Sequence, residues 1–228
     1  MHRTNATESG QRTNPAEPRW PVVVALLATG ALYFAMPEAL SVGPRWLLFA
    51  IVAVLLIPTL ITHRLGHVRV NVRLGYLLSG TVTLFLLWSL RLLVKSVFAH
   101  GESPAGLLTS GALLWATNVL VFATWYWRLD AGGPHERARR VGHPTGAFLF
   151  PQMVMPGVTH RSGGPDAPAE PWSPNFVDYL FLAFNTSTAF SPTDTPALTR
   201  WAKVLMMIQS LISMTTLLIL VGRVVNII

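Results

Sequence analysis

The chain has 228 residues, of which 51% are hydrophobic and only 12% charged, whereas a soluble domain carries about a quarter charged. That balance, with a mean hydropathy of +0.46, excludes an ordinary soluble domain and predicts an all-α, polytopic transmembrane helix bundle whose first partner is the lipid bilayer. Cysteine is absent, which removes disulfides, thiolate catalysis and cysteine-ligated metal or iron–sulfur centres. The net charge of +7 fits the basic cytoplasmic loops of a membrane protein rather than a nucleic-acid partner.

Residues 1–19 are polar, hold nothing to pack, and read as a disordered cytoplasmic tail. Residues 20–36 form the first apolar run. The tail before it is long and nearly neutral, so an uncleaved anchor is expected rather than a signal peptide. A turn with Pro37, Glu38 and Pro44 leads to the second run, 46–62, and a connector at 63–73 carries Arg64, Arg69 and Arg73. The third run is 74–99, where Arg91 and Lys95 can snorkel to an interface. The fourth, 105–127, closes on Trp125, Tyr126 and Trp127 against Arg128, as an aromatic belt does. Residues 20–128 are thus a four-helix transmembrane region. A Gly/Pro-rich connector, 129–175, follows. Its apolar middle, 146–158, is broken by Pro151 and Pro156, and either lies on the membrane surface or folds back over the bundle.

The final unit, 176–228, carries the most distinctive stretch: WSPNFVDYLFLAFNTSTAFSPTDTPALT at 172–199. Ser173 and Pro174 suit a helix start, and Pro192 ends the helix by pushing its predecessor out of the α region. A helix over 176–190 is about 22 Å long at 1.5 Å per residue, short of a roughly 30 Å hydrocarbon core. This fifth of six apolar segments is therefore short and either re-entrant or spanning. A re-entrant helix leaves the C-terminus outside. A full crossing, the reading preferred because the polar turn can stretch it, gives six spans and a cytoplasmic C-terminus. Arg and Lys collect in the N-terminal tail, in 63–73 and in 128–161, against only Arg45, Arg91 and Lys95 on the other side. A cytoplasmic N-terminus in a bacterial inner membrane follows.

A transport path is the sharpest functional reading of the polar residues here. The turn offers Asn185, Thr186, Thr188, Ser191 and Thr193, bracketed by Asp178 and Asp194. On the last helix Gln209, Ser213, Thr216 and Arg223 share one face, within about 80° at 100° per residue. Polar groups in hydrocarbon face a wet cavity or bond between helices, so both a pore lining and a packed seam remain open. Asp178 can equally serve the dipole of a first helical turn, and Asp194 can cap the helix after it. His63 and His67 have helical metal-ligand spacing without a third ligand, so no metal and no cofactor are expected. No HExxH, GxSxG or Walker loop occurs, and no catalytic residues are assigned.

The pattern FVDYLFLAFNTSTAFSPTDTPALTRWAKVLMMIQSLIS, with the FLFPQ and WYWRLD segments, resembles a bacterial family of small multi-pass inner-membrane proteins whose domain is of unknown function. The likeness implies a similar length and a closing helix–turn–helix, and no activity. More faintly, 188–194 followed by Pro196, Thr199, Trp201 and Lys203 is similar in layout to a potassium-channel filter and the start of its inner helix. Ser191-Pro192 takes the place of the glycine-tyrosine pair. The polar turn at 185–194 and the last-helix stripe suggest a channel or small-solute transporter, with a small cation as cargo and a homo-oligomer as its form. The alternative is a non-catalytic membrane scaffold, with a membrane enzyme as the third class.

Overall fold

The computed structural model describes residues 17–99, 104–140, 142–143, 145–155, 159–160, 170–188 and 195–225. Helix α1, Trp20–Phe34, has Pro21 in its first turn, where a missing N–H costs no ladder bond. Its far end is tied down by Val42, whose N–H donates to the Tyr33 hydroxyl, and by the buried Met36 and Leu40. Helix α2, Leu47–Arg64, returns and ends at a tight turn where Gly66 takes a φ of +72°, a region costly to a residue with a Cβ. Helix α3 is Val68–Ala99, so most of the basic segment 63–73 is helix rather than connector. Apolar content alone missed this, because Arg69 and Arg73 sit on exposed turns that continue the helix past the apolar run. Its 32 residues span about 48 Å, longer than a hydrocarbon core.

Helix α4, Pro104–Leu129, is the element the others pack on: α1, α3, α7 and α8 all touch it. It packs tightly on α8 (Arg200–Val225) at Gly111, where a Cβ would lie 2.5 Å from Leu220 Cδ2. The core runs through Leu78, Val82 and Leu86 of α3 and Phe122, Ala123 and Tyr126 of α4. Outward faces are apolar too: Val54, Ile57 and Ile61 of α2, and Leu211, Leu218 and Val221 of α8, are all exposed. An apolar surface of that kind suits lipid as its solvent. The stretches 47–64, 68–97, 105–132 and 200–222 are long and apolar enough to cross a membrane, while α1 is shorter, at 15 residues.

The connector after α4 folds back over one end of the bundle. A 3-10 turn at Asp130–Gly132 leads to the short helices α5, Pro134–Ala138, and α6, Pro151–Val154. Two-residue strands β1, Thr159–His160, and β2, Glu170–Pro171, pair antiparallel. Phe148 and Phe150 are buried against Tyr179, and Phe148 also meets Tyr126 and Trp201 edge-on.

Helix α7, Phe176–Thr188, starts at this covered end: Tyr179 bonds to Asp130, just past the end of α4. At Ser187, eleven residues after its start, it reaches the level of Trp115, near the middle of α4, whose indole N–H donates to the Ser187 carbonyl. Yet α8 also starts at the covered end. Phe148 bridges Ala197, the Leu198 N–H donates to the Ala147 carbonyl at 2.8 Å, and the Leu149 N–H donates to the Pro196 carbonyl at 3.0 Å. Both helices therefore begin at one end of the bundle. Pairing with the connector, some fifty residues earlier in the chain, holds the start of α8 where α7 also begins.

Candidate functional site

The last described turns of α7 lie inside the bundle, and side chains of α4 and α8 bond to them. Gln209 Nε2 donates to the Ala183 carbonyl and to Ser187 Oγ, both at 2.7 Å. Ser210 Oγ donates to the Thr186 carbonyl at 3.3 Å, and Trp115 reaches Ser187. Gln209 Oε1 accepts from the Tyr126 hydroxyl, while Asn118 Nδ2 donates to the Gln209 carbonyl and to Ser213 Oγ. Asn118 Oδ1 has no partner among the described residues.

The predicted path residues divide accordingly. Gln209, Ser213 and Thr216 are fully buried; the first two form the α4–α7–α8 seam, and Thr216 donates to the Ile212 carbonyl of its own helix. Of the two readings left open for this stripe, the packed seam is what its geometry gives. Asp178 Oδ2 accepts the Asn175 N–H at 2.7 Å and caps the start of α7. Thr186 Oγ1 donates to the Leu182 carbonyl, and Thr188 Oγ1 donates to the Asn185 carbonyl. Ser191, Thr193 and Asp194 lie outside the described residues. Arg223 falls in the last turns of α8, and its side chain lies outside them as well.

Two polar clusters at the covered end were not assigned from sequence. In the first, Asp130 is fully buried. Its Oδ2 accepts from the Tyr179 hydroxyl at 2.6 Å and lies 2.8 Å from His143 Nε2, and its Oδ1 accepts the Ala147 N–H. Arg137, 1% exposed, donates to the Trp127 and Asp130 carbonyls at 2.8 Å and pairs with Glu17 at 2.6 Å. One carboxylate thus ties α4, α7 and the connector together, and one guanidinium ties the N-terminal segment to them. The only sequence signal was an acid directly after an apolar run, within the segment WYWRLD.

The second cluster lines a narrow cleft, with about 30 Å³ of free space, between the ends of α1, α2, α3 and α4. Arg19, His63, Asn71 and Arg128 are its polar wall. Arg19 donates to Asn71 Oδ1 at 3.2 Å and lies 3.1 Å from His135 Nε2. Asn71 in turn donates to the Thr59 carbonyl at 2.6 Å, joining α3 to α2. Burial, then the charge of Arg19, then His63, Arg139 and Arg128, push the His135 imidazole down to about 4, so the ring is neutral at pH 7. Burial likewise pulls Arg19 below the usual arginine value, Glu17 opposing. His63 meets His135 edge-on rather than joining His67, which lies across the Gly66 turn. Among the described residues no group of three His, Cys, Asp or Glu side chains is placed to hold a metal.

Four helices able to cross a membrane, a short helix ending inside the bundle and a polar seam closing that end define a helical membrane protein. No protein-family model, curated protein or solved structure matches the chain.

Proposed function

We propose that the chain is a multi-pass inner-membrane protein in which α7 is a re-entrant helix. The segment after α7 then lines a path for a small cation or solute between copies of the chain. The supporting observation is that α7 and α8 start at the same end while α7 stops at mid-bundle. Interrupted backbone at membrane depth survives only when buried in protein or lining a wet cavity. Helices α4 and α8 cover one side of α7; Val177 and Phe181 are exposed, and a second copy supplies the missing cover. Arg200 and Lys203 now join Arg64, Arg69, Arg73 and Arg128 at the covered end, which the positive-inside bias makes cytoplasmic. On this reading Asn185 and Thr188 face the path, while Asp178, Gln209, Ser213 and Thr216 frame it; Ser191, Thr193 and Asp194, assigned to the path from sequence, lie outside the described residues.

Asp194→Asn should lower cation flux in reconstituted vesicles while leaving expression and melting nearly unchanged, because Asn caps about as well as Asp. Thr188→Val removes a hydroxyl at constant shape and should act in the same direction. A monomeric, well-folded protein that passes no cation under any gradient sinks this reading. It leaves the second one, a non-catalytic scaffold, favoured by the closed Gln209–Ser213–Asn118 seam.

A further inference from the structure

The cationic cleft plays no part in that path, and its charges are left over by the rest of the fold. Three guanidiniums meet at this end: Arg19, Arg128 and Arg137. The carboxylate of Glu17 is taken up by Arg137 and by the Trp127 indole N–H at 2.9 Å, and that of Asp130 by Tyr179, His143 and Ala147. Among the described residues no carboxylate pairs with Arg128 or Arg19. Arg128 is 9% exposed, donates Nε–H to Ser79 Oγ at 3.1 Å, and stacks by Trp127 and Tyr76. Space for its guanidinium comes from Gly75, where a Cβ would lie 1.7 Å from Nη1. A buried charge with only neutral neighbours is costly unless something pairs it. The wall opposite is apolar: Val22, Val23 and Leu26 of α1 with Leu56 and Leu60 of α2.

We propose that this cleft binds the phosphate group of an anionic amphiphile, with Arg19 and Arg128 on the phosphate oxygens and the apolar α1–α2 wall along the first methylenes of an acyl chain. Guanidinium forks match phosphate geometry, and basic pockets between transmembrane helices at the cytoplasmic side take such headgroups. His63 adds a polar contact, and the nearby Glu17 carboxylate is held by Arg137 and Trp127. A free phosphate shares this chemistry but gains nothing from the apolar wall, so the lipid is the source argued here.

The test is native mass spectrometry of the full chain in detergent, with phosphatidylglycerol and phosphatidylcholine of identical chains added in turn. Wild type should retain phosphatidylglycerol at least about tenfold better, the scale of a single strong charge-assisted bond. Arg19→Gln and Arg128→Gln should each remove most of that preference. Arg69→Gln and Arg73→Gln, exposed on the same end, should leave it intact. If Arg128→Gln fails to fold, Arg19→Gln alone decides. Equal retention of the two lipids, or an unchanged preference in Arg19→Gln, overturns the proposal. Inorganic phosphate at millimolar concentration distinguishes the sources: failure to displace phosphatidylglycerol supports the lipid, and full displacement overturns the lipid assignment in favour of a free anion.

Discussion

At the scale of single residues, the covered end of the bundle depends on groups whose charge state the fold has fixed. His135 titrates at about 4 when folded against about 6.5 in an unfolded chain. Between those values the unfolded chain binds the proton and the folded one does not, so stability falls as pH drops from about 6.5 to about 4. His135→Asn should flatten that fall: melting in detergent at pH 7 and pH 4.5 should differ less in the variant than in wild type. A drop of the same size in both would show that His135 does not drive it. Asp130 is expected to matter more. Asp130→Asn leaves Tyr179, His143 and Ala147 around an amide that cannot accept from every side, and losing hydrogen bonds to a charged acceptor costs about 1.5–3 kcal/mol. Tyr179→Phe removes one bond and should cost about 1 kcal/mol, so a chemical-denaturation series should rank the two variants in that order.

At the scale of elements, α7 is held inside the bundle by side chains of its neighbours. Gln209 bonds to the Ala183 carbonyl and to Ser187 Oγ, Ser210 to the Thr186 carbonyl and Trp115 to the Ser187 carbonyl. Gln209→Leu removes the most connected of these groups. At about 0.6 kcal/mol per interhelical bond within a membrane, the three side-chain bonds of Gln209 make the loss about 2 kcal/mol, measurable by unfolding in mixed micelles. A change under about 0.5 kcal/mol would show that the carbonyls find other partners. The apolar runs behind α1 to α4 and α8 were legible in the sequence because each is a long unbroken block. Whether α7 crosses was not, because thirteen residues suit a short span and a re-entrant helix alike. The deciding contact, Phe148 with Ala197, joins segments that no periodicity links. The Asp130 cluster was hidden for the same reason: Asp130, His143, Ala147 and Tyr179 sit on three separate segments, and His143 sits in a connector whose Gly/Pro content suggests no packing. The polar stripe on α8 was legible as a stripe, but its alternatives differ only in what faces it, and that is a property of α4 and α7.

At the scale of the whole molecule, the proposed re-entrant α7 predicts an odd number of crossings, α1 to α4 and α8, with the start of α1 and the end of α8 on opposite faces. The absence of native cysteine makes this directly measurable by labelling single introduced thiols with an impermeant maleimide, in sealed right-side-out and inverted vesicles. Leu65→Cys marks the α2–α3 turn at the covered end, and Glu38→Cys marks the opposite end; Leu65 and the Glu38 side chain are 64% and 80% exposed. Leu198→Cys sits between α7 and α8, and Leu198 is 53% exposed. It should label from the same face as Leu65→Cys, and a thiol appended after Ile228 should label from the face of Glu38→Cys. A spanning α7 reverses both results at once, since it moves Leu198 to the Glu38 face and the C-terminus to the Leu65 face. The absolute direction is set separately by a reporter fused after residue 150, which should read cytoplasmic because Arg64, Arg69, Arg73, Arg128, Arg200 and Lys203 share that end. A periplasmic reading there would invert the molecule while leaving the relative labelling pattern, and with it the re-entrant geometry of α7, unchanged.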